Sequence, residues 1–474
     1  MNRLDFLKRM AWALGGATVL GAETSLLHAA PSDKSIMLGP GETFDQFKAD
    51  IQGLDAKVNK PVTVIIIGAG GRGNAYATYA KKFPSALRIV GVSDINEGRR
   101  KKMADEFSIK KENQFGDFSE VFKGPKLADA VVISTPDDVH YAPCMLALAK
   151  GYQILLEKPI APTEKECTDI LAAAKKHNRI VAVCHVLRYA PYFIALKQAV
   201  DSGVIGDVVS VQHLEPILFD HMAHSYVRGN WHNSKETTPI ILAKSCHDLD
   251  IIRWLVGKPC TQISADGSLS YFKASRMPAG APAFCTDGCP HESTCPYSAI
   301  DIYVRRKRML KVFDLPEVKD ELIMEKLRTT NYGRCVFRCN NDQPDHYVST
   351  MVFEGDVTAS FNMEAFTSYS GRRTRIMGTK GDIVGDMTEF VITDFRSKKK
   401  TVWNQKVEEL EAYKDAGHGG GDLGLVRDFV RAVAAGDATI LSSSIDASVE
   451  SHVMGFRAEE SRLSMKKVTI HSKQ

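Results

Sequence analysis

The residues best suited to do chemistry fall in a few short stretches. Gly68-Ala69-Gly70-Gly71-Arg72-Gly73 fits a GxGxxG pattern through Gly68, Gly70 and Gly73. Gly68 permits a tight turn, Gly70 lets the backbone approach a pyrophosphate, and Gly73 permits close helix–strand contact. A helix starting there offers N–H groups and a partial positive charge to phosphates. Asp94 lies 26 residues after Gly68, the spacing of an acid that binds ribose hydroxyls. Its carboxylate would repel a 2′-phosphate, so NAD is expected over NADP; Arg99 and Arg100 keep NADP open. The stretch Phe219–His232 interleaves polar donors (His224, Tyr226, Arg228) with Trp231. Rings that pack on sugar faces beside donors for hydroxyls suit a carbohydrate; the alternatives are an ordinary loop or a metal held by the histidine pair His221 and His224. Five of the ten cysteines fall between Cys285 and Cys339. Cys285, Cys289, Cys295 and Cys335 could hold structural zinc or form disulfides, or they stay free thiols.

These residues need elements to position them. Pro61–Ile67 (PVTVIII) is a continuous apolar, β-branched run, the pattern of a strand buried on both faces. It runs into the glycine pattern, and a helix is expected over Asn74–Lys82. A second strand, Leu87–Val92, leads to Asp94. A third, Ala128–Ser134, ends at Thr135-Pro136 with His140 just beyond. A helix over Ala142–Lys150 leads to Gln153–Leu156, which ends in Glu157-Lys158-Pro159. Alternating strands and helices imply a doubly wound parallel sheet, whose ligands sit at the carboxyl ends of the strands. Gly71, Arg72, Thr135, Pro136, His140, Glu157 and Lys158 are therefore candidate cofactor contacts.

The chain has 474 residues, enough for two or three domains, and is 44% hydrophobic and 25% charged. That excludes disorder, collagen and coiled coil as global descriptions. Lys plus Arg is 61 against 57 Asp plus Glu, a net charge of +4 that does not suggest a nucleic-acid binder. Residues 1–30 read as an export signal: Arg3, Lys8 and Arg9, then an apolar stretch from Met10 to Ala22 and small residues at Ala29 and Ala30. The pattern is twin-arginine-like, but Leu4 stands where the second arginine belongs. A periplasmic location is expected, cytoplasmic if the signal does not function. No apolar run in the mature chain reaches the roughly 20 residues of a membrane span. Residues 31–60 read as an arm with a short helical segment near Phe44–Leu54.

With GAGGRG at 68–73, Asp94, TPDDVH at 135–140, EKP at 157–159, Arg188-Tyr189, GVIGDVVSV at 203–211 and GTKGDI at 378–383, the sequence resembles the Gfo/Idh/MocA oxidoreductases over residues 61–470. The resemblance implies an NAD-binding Rossmann domain (61–187) and a C-terminal α+β domain (188–474) with an open, mostly antiparallel sheet. That sheet covers the nicotinamide and often mediates oligomerisation, so a dimer or tetramer is expected. Its strands would include Val208–His213, Tyr347–Phe353, Val357–Met363 and Arg373–Met377. A last helix, Leu423–Ala435, would pack back on the first domain, with Asp422 as N-cap. The EKP lysine, here Lys158, would reach nicotinamide ribose and substrate, binding the reacting hydroxyl as its proton leaves. The family's histidine maps to His247, which is the candidate acid/base. Its partner acid four residues earlier is absent: Ala243 stands there. Lys244, three residues before His247 and on the same helical face, would supply a charge. Asp248 and Asp250 read as helix-surface or structural acids, and Arg188 and Tyr189 as candidate substrate contacts.

Three functions follow from this reading. One is NAD-dependent oxidation of a secondary hydroxyl on a sugar, glycoside or cyclitol. Another is an NAD-using glycoside hydrolase acting by transient oxidation and elimination, which suits an exported protein. The last is a non-catalytic nucleotide-binding protein.

Overall fold

The computed structural model describes residues 44–406, 410–413 and 417–470. These lie in one compact unit. The expected signal lies outside the described residues. Among the described residues no helix is long and apolar enough to cross a membrane.

The glycine pattern joins strand β1 (Val62–Ile67) to helix α1 (Gly71–Lys82). Strands β2 (Leu87–Ser93), β3 (Gln114–Phe115), β4 (Ala130–Ile133), β5 (Gln153–Leu156) and β6 (Val181–Val183) complete a six-stranded sheet. The spatial order is β3-β2-β1-β4-β5-β6, and every pairing is parallel. This is the doubly wound order whose switch point falls between β1 and β4. Ile65, Val131, Ile133, Ile154 and Leu156 pack on one face of the sheet; Val64, Ile66, Val132 and Leu155 pack on the other. Burial on both sides is why these strands read as unbroken apolar runs.

A mixed, mostly antiparallel ten-stranded sheet forms the other half. Val208–Pro216 lies at its middle, parallel to Thr358–Glu364 and antiparallel to Arg373–Gly378. His346–Phe353 alternates buried and more exposed residues, as a strand covered on one face must. Two helices pack on that covered face, α2 (Cys246–Val256) and α3 (Ile445–Ser464). The arm contributes no helix over Phe44–Leu54. Asp45–Gln46 instead forms a short strand parallel to Lys400–Asn404 at the sheet edge.

The C-terminal part also closes the first half. The helix Gly421–Ala435 places Leu423, Val426, Phe429 and Val430 in one apolar cluster with Tyr76, Ala77 and Val64. Its N-cap is Gly420, not Asp422. Asp422 sits inside the first turn of the helix because Gly419 and Gly420, both at positive φ, hold the tight bend before it. Between Ser268 and His346 an insertion carries its own small core of Ile302, Tyr303, Phe313, Ile323 and Leu327.

Candidate active site

The glycine loop fits a dinucleotide by its sterics. A Cβ on Gly68, whose φ is +94°, would lie 2.6 Å from the Ser134 carbonyl. A Cβ on Gly73 would collide with the Gly68 carbonyl, so the close packing of helix on strand needs glycine there. Above Gly70 and Gly71 the space is open: nothing lies within 4 Å of a Gly71 Cβ, and the nearest atom to a Gly70 Cβ is 3.7 Å away. The first turn of α1 has no side-chain cap, so its N–H groups face that open space. Asp94, at the end of β2, accepts from Ala69 N at 2.7 Å and Asn96 N at 2.8 Å. One bond per oxygen leaves lone pairs for ribose hydroxyls. Arg99 is engaged elsewhere, by Asp314 of the insertion at 2.6 Å, and Arg100 donates to the Asp94 carbonyl.

Arg72 leaves the loop and joins the two halves. Its Nε donates to Glu157 Oε1 at 2.5 Å, and its Nη2 reaches Asp422 at 2.8 Å and Tyr76 Oη at 2.6 Å. Burial alone would raise the Glu157 carboxyl, but Arg72 and then Lys158 outweigh it and hold it below the usual range. Burial likewise acts to raise Asp422, and the His418 hydrogen bond together with Arg72 holds it well below that range. Glu157 thus secures the loop's arginine from the EKP segment. Of the other predicted cofactor contacts, Thr135 Oγ1 bonds the Val139 carbonyl, and Pro136 caps the short turn Asp137–Val139. His140 is a correction. It is fully buried, with Nδ1 2.7 Å from Pro159 O and Nε2 3.0 Å from Thr135 O. Both ring nitrogens face backbone carbonyls, one in each of the two strand-end loops, so neither is turned toward a cofactor.

Lys158 crosses to the other half, where Nζ donates to the Ala243 carbonyl at 2.7 Å. That is the position where the resemblance places an acid; here a backbone oxygen meets the lysine. One of three ammonium donors is used, leaving two for other groups. His247 lies in the first turn of α2 and is buried. Its Nδ1 has no hydrogen-bond partner among the described residues. Burial first, then the positive charge of Lys158, drives its pKa well below the ordinary histidine value, so the imidazole rests neutral.

Lys244 does not share a helical face with His247. Ile240–Ala243 ends before it, Lys244 and Ser245 break the helix, and α2 begins at Cys246. Lys244 instead bonds Glu215 at 3.0 Å. Arg372 joins Glu215 (2.5 Å) to Asp248 (2.9 Å), and Asp248 also meets His213 at 3.1 Å. Asp248 and Asp250 are buried structural acids, not surface ones. Trp231 Nε1 and Thr238 Oγ1 both donate to Asp137 at 3.0 Å, linking the Thr135–His140 loop to the aromatic stretch, and Tyr226 is buried beside Trp231.

Four predicted substrate contacts lie elsewhere. Arg188 is buried and holds Asp250 with two bonds of 2.7 Å, and Tyr189 Oη pairs with Ser443. His224 bonds Tyr303 and stacks on Tyr332. Arg228 is buried against the Arg334 and Tyr297 carbonyls, beside a cavity lined by Cys285, Cys289, Cys295 and Cys335. The zinc expectation is corrected there: among the described residues no three His, Cys, Asp or Glu side chains are gathered to hold a metal. All ten cysteines are free, and burial raises the Cys295 and Cys335 thiols and pushes Cys339 up to about 11, keeping them protonated. A residue that the sequence reading misses is His418. It lies 5.9 Å from His247 between ring centres and bonds Asp422 at 3.0 Å. Its signal is the run Gly417-His418-Gly419-Gly420-Gly421, where one titratable side chain stands among glycines.

Residues 62–185 match a model described as an oxidoreductase family with an NAD-binding Rossmann fold, and residues 193–286 match the GFO/IDH/MocA C-terminal domain. Those two stretches match the two domains of the GFO/IDH/MocA oxidoreductases in their order. Among curated relatives, the putative oxidoreductase YteT of Bacillus subtilis is 25% identical over 387 residues, covering 77% of this chain and 87% of that protein. Inositol 2-dehydrogenase 1 of Saccharopolyspora erythraea is 29% identical over 45% of this chain, a match that spans 60% of that protein. Among solved structures, a levoglucosan dehydrogenase bound to NADH and levoglucosan superposes with a TM-score of 0.64 at 19% identity, covering 87% of this chain and all of that one. An inositol dehydrogenase homologue from Azotobacter vinelandii, bound to NADH and myo-inositol, gives 0.62 at 16% over 88% of this chain and all of that one. At those identities the structural likeness is one of fold. The matched model describes the first half as the NAD-binding Rossmann unit of an oxidoreductase family.

Proposed function

We propose that this oxidoreductase removes hydride from a secondary hydroxyl of a cyclitol or sugar, using NAD+ and releasing a ketone, NADH and a proton. One observation carries the reading. A buried imidazole with an unpartnered nitrogen, His247, lies within the field of an ammonium, Lys158, at the carboxyl end of the sheet that bears the dinucleotide loop. When bound, NAD+ supplies the hydride acceptor. The chain's own residues do the rest. The N–H groups at the start of α1 hold the pyrophosphate, and Asp94 holds the ribose. The free donors on Lys158 Nζ orient the substrate oxygen and stabilise the negative charge that develops on it. The neutral His247 ring takes the hydroxyl proton as the hydride leaves. Glu215, Lys244 and Arg372 form a charged network near the site that favours a ligand rich in hydroxyls. The inositol and levoglucosan dehydrogenase relatives support this substrate class. The Asp94 carboxylate supports NAD over NADP.

The test is NADH formation with myo-inositol, levoglucosan and a panel of glycosides, compared with Lys158→Met. Ketone and NADH formed in equal amounts by the wild type, and lost in the variant, support the reading. Release of an aglycone without net NADH overturns it in favour of a redox-neutral hydrolase. We further propose export to the periplasm on the basic and apolar pattern of residues 1–30, and a homo-oligomer. Cell fractionation and sedimentation test these two.

A further inference from the structure

His247 is buried and rests neutral, so a proton it takes from substrate must leave before the next turnover. Its ring lies 5.9 Å from that of His418, and the side chain of His418 is about one-third exposed. The Nδ1 of His418 bonds Asp422 at 3.0 Å, which leaves Nε2 without that partner. A carboxylate that fixes one ring nitrogen sets the tautomer and orientation of the other, the second half of an Asp–His pair. The backbone is shaped around this side chain. His418, Gly419 and Gly420 have successive φ values of 54°, 67° and 101°, a left-handed run that only glycine adopts freely. A Cβ at Gly420 would lie 2.5 Å from the Tyr413 ring, and one at Gly417 would strike the Asp422 carboxylate. Gly420 N closes the turn on the Gly417 carbonyl at 3.1 Å. A non-glycine residue held at positive φ beside a catalytic imidazole is a common sign of a functional position.

We propose that His418, oriented by Asp422, is the proton exit of the site: it receives the proton from the His247 ring, directly or through one water, and passes it to solvent. The inference rests on the oxidation proposed above. It adds a route, R2CHOH to His247 to His418 to bulk water, in which no group is left with a net change. The charged and titratable groups around His418 are Asp422 in the helix that follows it, Arg72 held by that same Asp422, and the neutral His247 ring facing it from α2. Because Asp422 also holds Arg72 of the cofactor loop, a change at Asp422 disturbs two functions, and His418 is the position that separates them.

The experiment uses the full chain with NAD+ and whichever of myo-inositol or levoglucosan it oxidises faster. The variants are His418→Asn and His418→Gly, both of which accept positive φ and so keep the turn. The expected result is a fall in kcat of about 100-fold with KM and NADH affinity within about threefold of wild type. Added imidazole should restore about tenfold of that loss in His418→Gly, whose vacated space admits the ring. Variants with normal kcat overturn the relay and leave the oxidation intact. A loss of NADH affinity without imidazole rescue overturns it in favour of a purely structural role. Wild-type chain that oxidises neither probe overturns the function proposed above, and the relay with it.

Discussion

Arg72→Met tests whether one side chain locks the cofactor loop to the helix Gly421–Ala435, which the helix Ile445–Ser464 follows, so it is not the last helix that the sequence suggests. The guanidinium makes bonds of 2.5 Å to Glu157, 2.8 Å and 3.2 Å to Asp422, and 2.6 Å to Tyr76. The two carboxylates are nearly buried, 6% and 5% exposed, whereas Arg72 is 34% exposed. Removing one partner of a fully buried pair costs about 3–5 kcal/mol, because the other charge stays behind without it. Water that reaches the exposed third of Arg72 already screens the pair, which brings the expectation down to about 2–3 kcal/mol. The pH dependence has a definite sign. Both carboxyls are held below their ordinary range in the folded chain. The stability they contribute is therefore fully present above an unfolded carboxyl pKa of about 4 and is lost as pH falls from there through the lower folded values. Arg72→Met lacks most of this contribution, so its deficit should be full from neutrality down to about pH 4 and shrink as pH falls further toward about pH 2. Equilibrium unfolding of wild type, Arg72→Met, Asp422→Asn and the double variant across that range gives the measurement. The cycle should return a coupling of about 2 kcal/mol. A deficit below about 1 kcal/mol that does not change with pH would refute the argument, showing that water replaces the bridge at little cost.

Four further outcomes are expected. Lys158→Met should lower kcat for oxidation by at least about 100-fold, because it removes the donor that stabilises the developing alkoxide; steady-state kinetics check it. Asp94→Ser should raise kcat/KM for NADP relative to NAD by about tenfold or more, since the carboxylate no longer repels a 2′-phosphate. Trp231→Ala should raise the KM for the sugar by about tenfold through loss of the Asp137 contact and the ring, with NAD affinity unchanged. Burial pushes His185 down to about 3 and His452 down to about 4. Lowered histidine values mean that the unfolded chain binds the extra protons, so stability is full above about pH 6.5 and falls below it. Between about pH 6.5 and 5 the two groups together should remove about 3 kcal/mol, read by thermal melts.

The first half is legible because its physics is local. A run such as Val64–Ile67 cannot be hidden by any fold that leaves one face wet. PVTVIII, AVVI and QILL therefore announce a doubly covered sheet, and the glycines that follow the first run have one steric purpose. The second half is legible where burial alternates along a strand and illegible where pairing is distant. Asp422 reads as a helix cap because an acid before a helical stretch usually is one; its true partner, Arg72, is 350 residues away and leaves no periodic trace. Helical spacing across Ser245 puts Lys244 beside His247, but the chain breaks there and the lysine turns to Glu215. Arg188 and Arg228 read as ligand contacts because surface arginines usually are available; here buried carbonyls and Asp250 take their donors. His418 escapes a sequence reading because a lone histidine among glycines has no spacing to match.

The helix Gly421–Ala435 also sets an order on biosynthesis. It supplies Leu423, Val426 and Phe429 to the cluster that seats Tyr76 and Ala77 of α1, and its Asp422 closes on Arg72 of the dinucleotide loop. A ribosome has therefore added some 350 residues beyond the dinucleotide loop before the nucleotide-binding half can be completed. Until then α1 keeps an uncovered apolar stripe and the loop arginine lacks one of its two carboxylates. Nascent chains are thus poor competitors for the dinucleotide pool, and premature termination upstream of Gly421 yields fragments that expose that stripe to proteases and chaperones.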